Sequence, residues 1–219
     1  MMSTLPSKEG VKRLYRLLST PKYEMIPLDN AHKGMKHLPK NSKVSISVSP
    51  SKGFATTLAL AQELSDYIPA ENITPHISAR LTSSRQELEQ KLKKVMDLGI
   101  KELFLVGGDR QDPLGPYKDS YDLLLAIREM GAPLRLGVTA YPEGHPLIPS
   151  EVLYADLLRK APHADFMTTQ LCFSAEGIDT WLRQVRQDGV NLPLQVGIAG
   201  AMDIIKLAKL AHGLAWGIL

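Results

Sequence analysis

The stretch Glu102-Leu103-Phe104-Leu105-Val106-Gly107-Gly108-Asp109, written ELFLVGGD, joins a continuous apolar run to a glycine turn and a carboxylate. An apolar run without strict alternation is typical of a parallel strand that is buried on both faces. The two glycines and Asp109 follow at the point where such a strand ends. The stretch therefore predicts a strand that carries a polar turn to the carboxyl edge of a parallel sheet.

Six other apolar runs share this layout, and most are followed by a helical pattern. The predicted strands are 23–27, 43–48, 74–78, 102–106, 135–140, 164–169 and 193–198. Helices are predicted at 9–18, 53–67, 120–130, 150–160, 177–187 and 203–211, and from a capping box of Ser84 and Glu87 to a stop at Gly99. Repeated βα units at this spacing are typical of an open doubly wound sheet or of a (β/α)8 barrel.

Two features favour an α/β, (β/α)8 TIM-barrel-like fold, formed by residues 1–219 as a single domain with an extra helix in residues 1–20. Polar, glycine-rich segments follow at least five strands, whereas an open sheet concentrates them at one switch point. The sequence also lacks GxGxxG and GxxxxGK[ST] motifs. Since we count only seven strands, we expect the eighth βα unit to be missing or swapped, and a homo-oligomer or another partner to cover the last edge.

The charge pattern does not indicate a nucleic-acid partner. The net charge is +3, and the densest basic run, Lys91-Leu92-Lys93-Lys94, is predicted to form the solvent face of a helix. No apolar run is long enough to span a bilayer, and the N-terminus lacks the apolar core of a signal peptide. The single cysteine, Cys172, fits a reducing compartment. We therefore expect a soluble, cytoplasmic protein without a membrane partner.

In a barrel, the residues at the carboxyl ends of the strands meet at one mouth. Glu24 lies inside an apolar run there, and we expect it to be a buried functional carboxylate, while Asp109 is either functional or a helix N-cap. The spacings HxH, HExxH and CxxC of metal sites and the GxSxG of serine hydrolases are absent from the sequence. The remaining side chains suit a large planar heterocycle with one general acid beside it.

Five strand-end motifs, taken together and in order, resemble those of the methylenetetrahydrofolate reductase family over about residues 22–210. They are YEMIP (23–27), PHIS (75–78), GGD (107–109), AYPEGHP (140–146) and ADFMTTQLCF (164–173). Any one of these motifs is weak evidence. The combination of AYPEGHP and ADFMTTQLCF, in this order after GGD, is specific. The resemblance implies a (β/α)8 barrel that reduces 5,10-methylenetetrahydrofolate to 5-methyltetrahydrofolate. A bound FAD usually takes the hydride from the co-substrate NAD(P)H.

The resemblance also implies roles for individual residues. Glu24 matches the family's general acid, which protonates N10, and Asp109 matches an aspartate beside flavin and pterin whose charge stabilises the iminium. Gln170 and Phe173 match folate-binding positions. The positions that match cofactor contacts are Ser47, His76, Gly108, Asp109, Ala140, Tyr141, His145 and, at the phosphates, Lys160.

Departures from the family pattern leave three hypotheses open. Gly107 stands where many members have arginine, and the segment 150–160 is shorter than usual, which puts the phosphate contacts of Asp156 and Lys160 in doubt. The protein is therefore a reductase with FAD, a flavin-independent reductase with direct hydride transfer, or a non-catalytic folate- or flavin-binding subunit of a one-carbon complex. Because a binding subunit needs no acid, the retention of Glu24 with Asp109 argues against the third hypothesis.

Overall fold

The computed structural model describes residues 7–28, 30–200, 203, 205 and 207 of the 219-residue chain. Its seven strands are β1 (Lys22–Met25), β2 (Lys43–Ile46), β3 (Ile73–Ser78), β4 (Glu102–Val106), β5 (Arg135–Ala140), β6 (Phe166–Leu171) and β7 (Leu194–Gly197). All neighbouring pairs are parallel, and the strands follow one another in the sheet in chain order. The seven predicted strands are therefore confirmed, with shifts of one or two residues at some ends.

Helices connect the strands on one side of the sheet. They are α1 (Lys8–Ser19), α2 (His32–Met35), α3 (Gly53–Ser65), α4 (Arg85–Asp97), α5 (Ser120–Glu129), α6 (Ser150–Lys160) and α7 (Ala175–Gln187), with 3-10 turns at 70–72 and 161–163. The helix predicted at 203–211 lies outside the described residues except at positions 203, 205 and 207. Within the described ranges, no helix combines the length and the apolar character that a membrane crossing requires.

The predicted capping box at the start of α4 is present in a modified form. Ser84 Oγ accepts a hydrogen bond from the backbone N–H of Glu87 at 3.1 Å. The Glu87 carboxylate bonds back to the N–H of Ser83, at 2.6 Å, one residue earlier than the usual pattern. These bonds satisfy two backbone donors near the start of the helix.

The prediction that the basic run in α4 faces solvent is wrong at Lys91. Its side chain is buried, and Nζ lies 2.8 Å from the Glu87 carboxylate and 3.1 Å from Thr82 Oγ1. The same ammonium lies 5.8 Å from the centre of the Phe54 ring. The long methylene stem allows a lysine near the buried face of a helix to pack against neighbouring side chains while its charge is paired.

The register of the sheet separates its residues into two faces, because side-by-side partners in a parallel pair project to the same side. One face is apolar and lies against the helices. It carries the buried residues Val44, Ile46, Ile73, Ile77, Leu103, Leu105, Leu136, Val138, Ala140 and Met167. The other face is mostly polar and aromatic, and it forms the inside of the curled sheet.

Contacts between distant strands show that the sheet curls. Lys22 Nζ of β1 lies 3.1 Å from the carboxylate of Glu102 in β4 and 5.3 Å from the centre of the Phe166 ring in β6. Since neither strand is a neighbour of β1, these contacts cross the interior. Thr74 and Arg135 join the same group, at 3.0 Å from Lys22 and 2.8 Å from Glu102. We call these five residues the lumen floor, because they lie at the amino-terminal ends of their strands.

The seven-stranded, TIM-barrel-like fold without an eighth βα unit is confirmed for the described part of the chain. There, β7 pairs with β6 alone and β1 pairs with β2 alone, so these two edges bound the open side. The coverage of this side by a second copy or another partner stays a prediction.

Gly137 provides a test of the lumen packing. A Cβ at this position would lie 2.2 Å from Cε2 of Phe166 and 2.9 Å from Cδ2 of Phe104. We expect Gly137→Ala to lower the free energy of unfolding by about 1–3 kcal/mol, measured by urea denaturation, because two rings must shift. Gly107→Ala is the matched control, since a Cβ there meets no atom within 4 Å. Equal stability of the two variants would contradict the packing described.

Candidate active site

The candidate site occupies the inner face of the sheet above the lumen floor. The Cα register aligns Glu24 with Ser45, and it aligns His76, Phe104, Gly137 and Phe166 in a second row. Loops after β4, β5 and β6 extend this face beyond the ends of the strands. The mouth therefore combines one acid, an imidazole, aromatic rings and several hydroxyl groups.

Glu24 faces the lumen near the open side of the barrel. Contrary to our expectation, its side chain is exposed to solvent, because β1 has no strand beyond it among the described residues. Nearby protein atoms nevertheless displace part of the water around the carboxyl group, and this desolvation raises its pKa above the ordinary value of 4.5. No hydrogen bond within the described part of the chain engages the carboxyl group. It is therefore accessible to a ligand and holds its proton to higher pH than an ordinary glutamate.

His76 lies deeper in the same lumen. Its ring is 8% exposed and packs against Phe104, with ring centres 4.8 Å apart. Nε2 lies 2.6 Å from Ser45 Oγ. Burial, together with the positive charge of Lys22, lowers the pKa of His76 to about 3. The imidazole is therefore neutral throughout the physiological pH range.

The glycine turn after β4 presses against the end of β3. Gly108 has a φ of +91°, and a Cβ there would lie 2.1 Å from Ser78 Oγ, so only glycine fits this position. Ser78 in turn donates a hydrogen bond to the carbonyl of Gly107 at 3.2 Å. The turn delivers Asp109 to the rim of the mouth, where its side chain is exposed.

Tyr141 connects three strand ends. Its half-buried phenol lies near the side chains of Thr139 and Gln170. Burial raises its pKa, and the negative charges of Asp156 and Asp109 act in the same direction. The phenol is therefore a hydrogen-bond donor at neutral pH. The ring of His145 approaches it edge-on, with ring centres 5.7 Å apart.

Glu143 joins the loop after β5 to the loop after β6. One carboxylate oxygen accepts the backbone N–H groups of Phe173 at 2.8 Å and Ser174 at 2.6 Å. Ser174 is the N-cap of α7, where negative charge is favourable. The exposed ring of Phe173 thereby keeps a fixed position relative to the Tyr141 loop. Glu143 therefore acts as an acceptor that stabilises the loop.

Three predicted cofactor-binding residues do not present their side chains to the mouth as His76 and Tyr141 do. The Ala140 side chain is buried on the helix-facing side of β5. Lys160 is buried in α6 and forms an ion pair with Asp156. Ser47 lies at the end of β2, where its hydroxyl is 3.3 Å from the carbonyl of Met25. Their roles in cofactor binding stay predictions.

Sequence reasoning missed Ser45 and Thr139, both of which lie beside predicted site residues. The available signal was alternation: Ser45 stands between the buried Val44 and Ile46, which places its hydroxyl on the opposite face of the strand. A polar residue inside a strand, such as Ser45 in β2, does not follow the strand-end pattern on which the site prediction rests.

Several cationic side chains at the rim are engaged within the protein. Arg80 donates to the carbonyls of Lys118 and Arg110, and the Arg110 guanidinium donates to the carbonyl of Asp112. Arg159 pairs with Asp119 and Asp156, the carboxylate that also holds Lys160. A diphosphate at this rim would compete with these contacts for the guanidinium and ammonium groups. In the described ranges, no group of three or more His, Cys, Asp or Glu side chains is arranged to hold a metal ion.

Comparisons with known proteins agree with the strand-end motifs. Residues 20–215 match the family model described as methylenetetrahydrofolate reductase. The chain is 32% identical over 108 residues to methylenetetrahydrofolate reductase 2 of Saccharomyces cerevisiae, covering 47% of this chain and 18% of the yeast protein. It is 27% identical over 167 residues to a probable methylenetetrahydrofolate reductase (NADPH) of Caenorhabditis elegans, covering 70% of this chain and 24% of that protein. The chain thus spans about a fifth to a quarter of the length of these relatives.

A solved structure shows the same fold in a protein of different sequence. The crystal structure of 2,3-dimethylmalate lyase superimposes with a TM-score of 0.54 at 11% identity, covering 99% of this chain and 87% of that chain. At this identity the likeness concerns the fold alone.

The contact of Glu143 generates a second prediction. We expect Glu143→Ala to accelerate amide hydrogen exchange at Phe173 and Ser174 and to lower stability by about 1 kcal/mol, because two backbone donors lose their acceptor. Glu176→Ala, at an exposed position in the first turn of α7, is the control. Unchanged exchange in Glu143→Ala, measured by NMR, would show that the carboxylate does not hold the loop.

Proposed function

The chain belongs to the methylenetetrahydrofolate reductase family, and we propose that it reduces 5,10-methylenetetrahydrofolate to 5-methyltetrahydrofolate with hydride from NAD(P)H. The observation that carries the proposal is the carboxyl group of Glu24. It has a raised pKa, lies on the inner face of the barrel and has no hydrogen-bond partner among the described residues. A protonated acid in such a position is what the opening of an aminal requires.

The proposed reaction begins with proton transfer from Glu24 to N10 of the folate. The bond between N10 and the bridging carbon breaks, its electron pair stays on N10, and the carbon becomes an iminium on N5. Hydride from the reduced nicotinamide then adds to this carbon and gives the 5-methyl group. One proton and one hydride are consumed, and the nicotinamide leaves oxidised.

We assign supporting roles to Asp109 and Gln170. The iminium is cationic, so a carboxylate at the rim of the mouth stabilises it electrostatically. The charge of Asp109 is close enough to influence the pKa of Tyr141, whose phenol lies near Gln170. This proximity supports a common site in which the amide of Gln170 binds the pterin. Phe173 contributes an exposed ring at the adjacent rim.

A second candidate concerns the route of the hydride. The family resemblance predicts a bound FAD, and the rings of His76, Tyr141 and His145 are compatible with a planar cofactor. Gly107, which stands where many family members have an arginine, favours the flavin-independent route instead. NAD(P)H also carries a diphosphate, so the ion pairs of Arg159 and Lys160 with Asp156 do not distinguish the two routes. We therefore carry both routes into the experiment.

Purified protein can be titrated with FAD and assayed for turnover under anaerobic conditions. Turnover of NADH or NADPH with methylenetetrahydrofolate in flavin-free protein is expected for the direct route. Turnover that depends on added FAD, with a shift of the flavin spectrum, would replace it by the FAD route. Absence of turnover under both conditions, with folate binding retained, would refute the reductase proposal and support a binding subunit.

Glu24→Gln tests the acid. We expect folate binding to persist and the rate of reduction to fall by about 10²–10⁴-fold, because the amide cannot donate the proton. Glu71→Gln is the control, since Glu71 is exposed in the 3-10 turn before β3, at the opposite end of the barrel. Full activity of Glu24→Gln in a stopped-flow assay would contradict the assignment.

The proposed role of Glu24 as the acid predicts that kcat/KM depends on pH. The acid must be protonated, so kcat/KM is expected to fall as the pH rises through the pKa of Glu24, which lies above 4.5. His76, with a pKa of about 3, is already neutral over that range and does not contribute. The residual activity of Glu24→Gln should not show this fall in kcat/KM as the pH rises. If the fall persists in the variant, a group other than Glu24 causes it.

A further inference from the structure

The pair formed by Ser45 and His76 has no role in the reaction as described above. Ser45 projects from the middle of β2 onto the inner face, and its Oγ lies 2.6 Å from Nε2 of His76. The imidazole is 8% exposed and is held against the ring of Phe104. The hydroxyl therefore contacts a buried ring at one defined atom.

The distances indicate which nitrogen carries the hydrogen. A neutral imidazole has one N–H donor and one acceptor nitrogen. If Nε2 were the donor, the Ser45 hydrogen would need another acceptor, and the carbonyl of Thr74 is available only at 3.4 Å. If Ser45 donates to Nε2, its hydrogen makes the short 2.6 Å bond, and Nδ1 carries the ring hydrogen. No hydrogen-bond partner for Nδ1 lies among the described residues.

We propose that Ser45 is a positioning residue that fixes His76 as the Nδ1–H tautomer and so presents one N–H donor to the heterocycle bound in the lumen. The acceptor that this donor suits is a carbonyl oxygen or ring nitrogen of a fused pyrimidinone, a group that pterin and isoalloxazine share. The inference rests on the proposed function for the identity of the ligand. The tautomer itself depends only on the contact between the two side chains.

The charges around His76 exclude the other familiar use of such a pair, activation of a serine nucleophile. A histidine base must accept a proton, and its imidazolium is usually stabilised by a carboxylate on the second nitrogen. Here the positive charge of Lys22 opposes imidazolium formation. The carboxylate of Glu102 is paired with Lys22 and Arg135, and Glu24 has no hydrogen bond to the ring within the described part of the chain. His76 therefore remains a neutral hydrogen-bonding group.

The tautomer can be measured without activity, using protein labelled with [15N]histidine. Two-bond N–H correlation spectra distinguish a protonated ring nitrogen from an acceptor nitrogen, and His76→Gln assigns the signals. We expect Nδ1 protonated and Nε2 unprotonated in the wild type, a changed ratio in Ser45→Ala and the wild-type pattern in Ser45→Thr, which keeps the hydroxyl. Ser42→Ala is the matched control, because it removes a buried hydroxyl that has no hydrogen-bond partner among the described residues.

Ligand titrations test the second half of the proposal. We expect Ser45→Ala to weaken binding of tetrahydrofolate by about tenfold, with recovery in Ser45→Thr; a tenfold change corresponds to one lost neutral hydrogen bond. A parallel titration with FAD identifies flavin as the recipient if its affinity alone changes. A wild-type Nε2–H tautomer, or an unchanged tautomer in Ser45→Ala, would refute the positioning role. A changed tautomer with unchanged affinity for both ligands would refute donation to the heterocycle. These outcomes do not depend on whether the protein turns over.

Discussion

The contact between Lys22 and Glu102 is the constraint on which the rest of the barrel depends. It joins β1 to β4 across the interior at 3.1 Å, in a position where both side chains are largely shielded from water. Burial lowers the pKa of Lys22, and Glu102 opposes this shift. Loss of Glu102 would leave the shielded charge of Lys22 without its carboxylate partner, at a cost of roughly 3–5 kcal/mol. The pairing of these charges therefore stabilises the curled sheet around its polar interior.

The floor also sets the chemistry of the mouth. The charge of Lys22 reaches His76 and helps to keep the imidazole neutral, so this ring acts by hydrogen bonding and not by proton transfer. Glu24, on the same strand as Lys22, then remains the titratable acid of the lumen with a raised pKa. Under the proposed function, their surroundings thus suit the two groups to different tasks, His76 to hydrogen bonding and Glu24 to proton donation.

Much of this arrangement was predictable because apolar runs and polar turns alternate so regularly. The bounds of β4 and β5 were predicted to the residue. Strand β6 begins two residues later than predicted, because Asp165 belongs to the preceding turn: its carboxylate pairs with Arg128 and accepts the N–H of Leu136. Such a contact joins residues far apart in sequence and leaves no local pattern.

The site was predictable to the extent that its residues follow strand ends. Asp109, Tyr141 and Gln170 were found in this way, and Tyr141 lies near both of the others. Ser45 was missed because its partner, His76, lies 31 residues further along the chain. The engagement of Lys160 with Asp156 was equally hidden, since an i,i+4 pair on a helix is an ordinary surface pattern until burial is known.

The filled floor has a kinetic consequence. Lys22, Glu102 and Phe166 fill the amino-terminal end of the barrel, so a ligand does not pass through that end. Under the proposed reaction, folate and nicotinamide therefore reach the inner face from the mouth or from the open side between β1 and β7. A reactant that occupies this face before its partner delays the partner, so the order of arrival becomes part of the rate law.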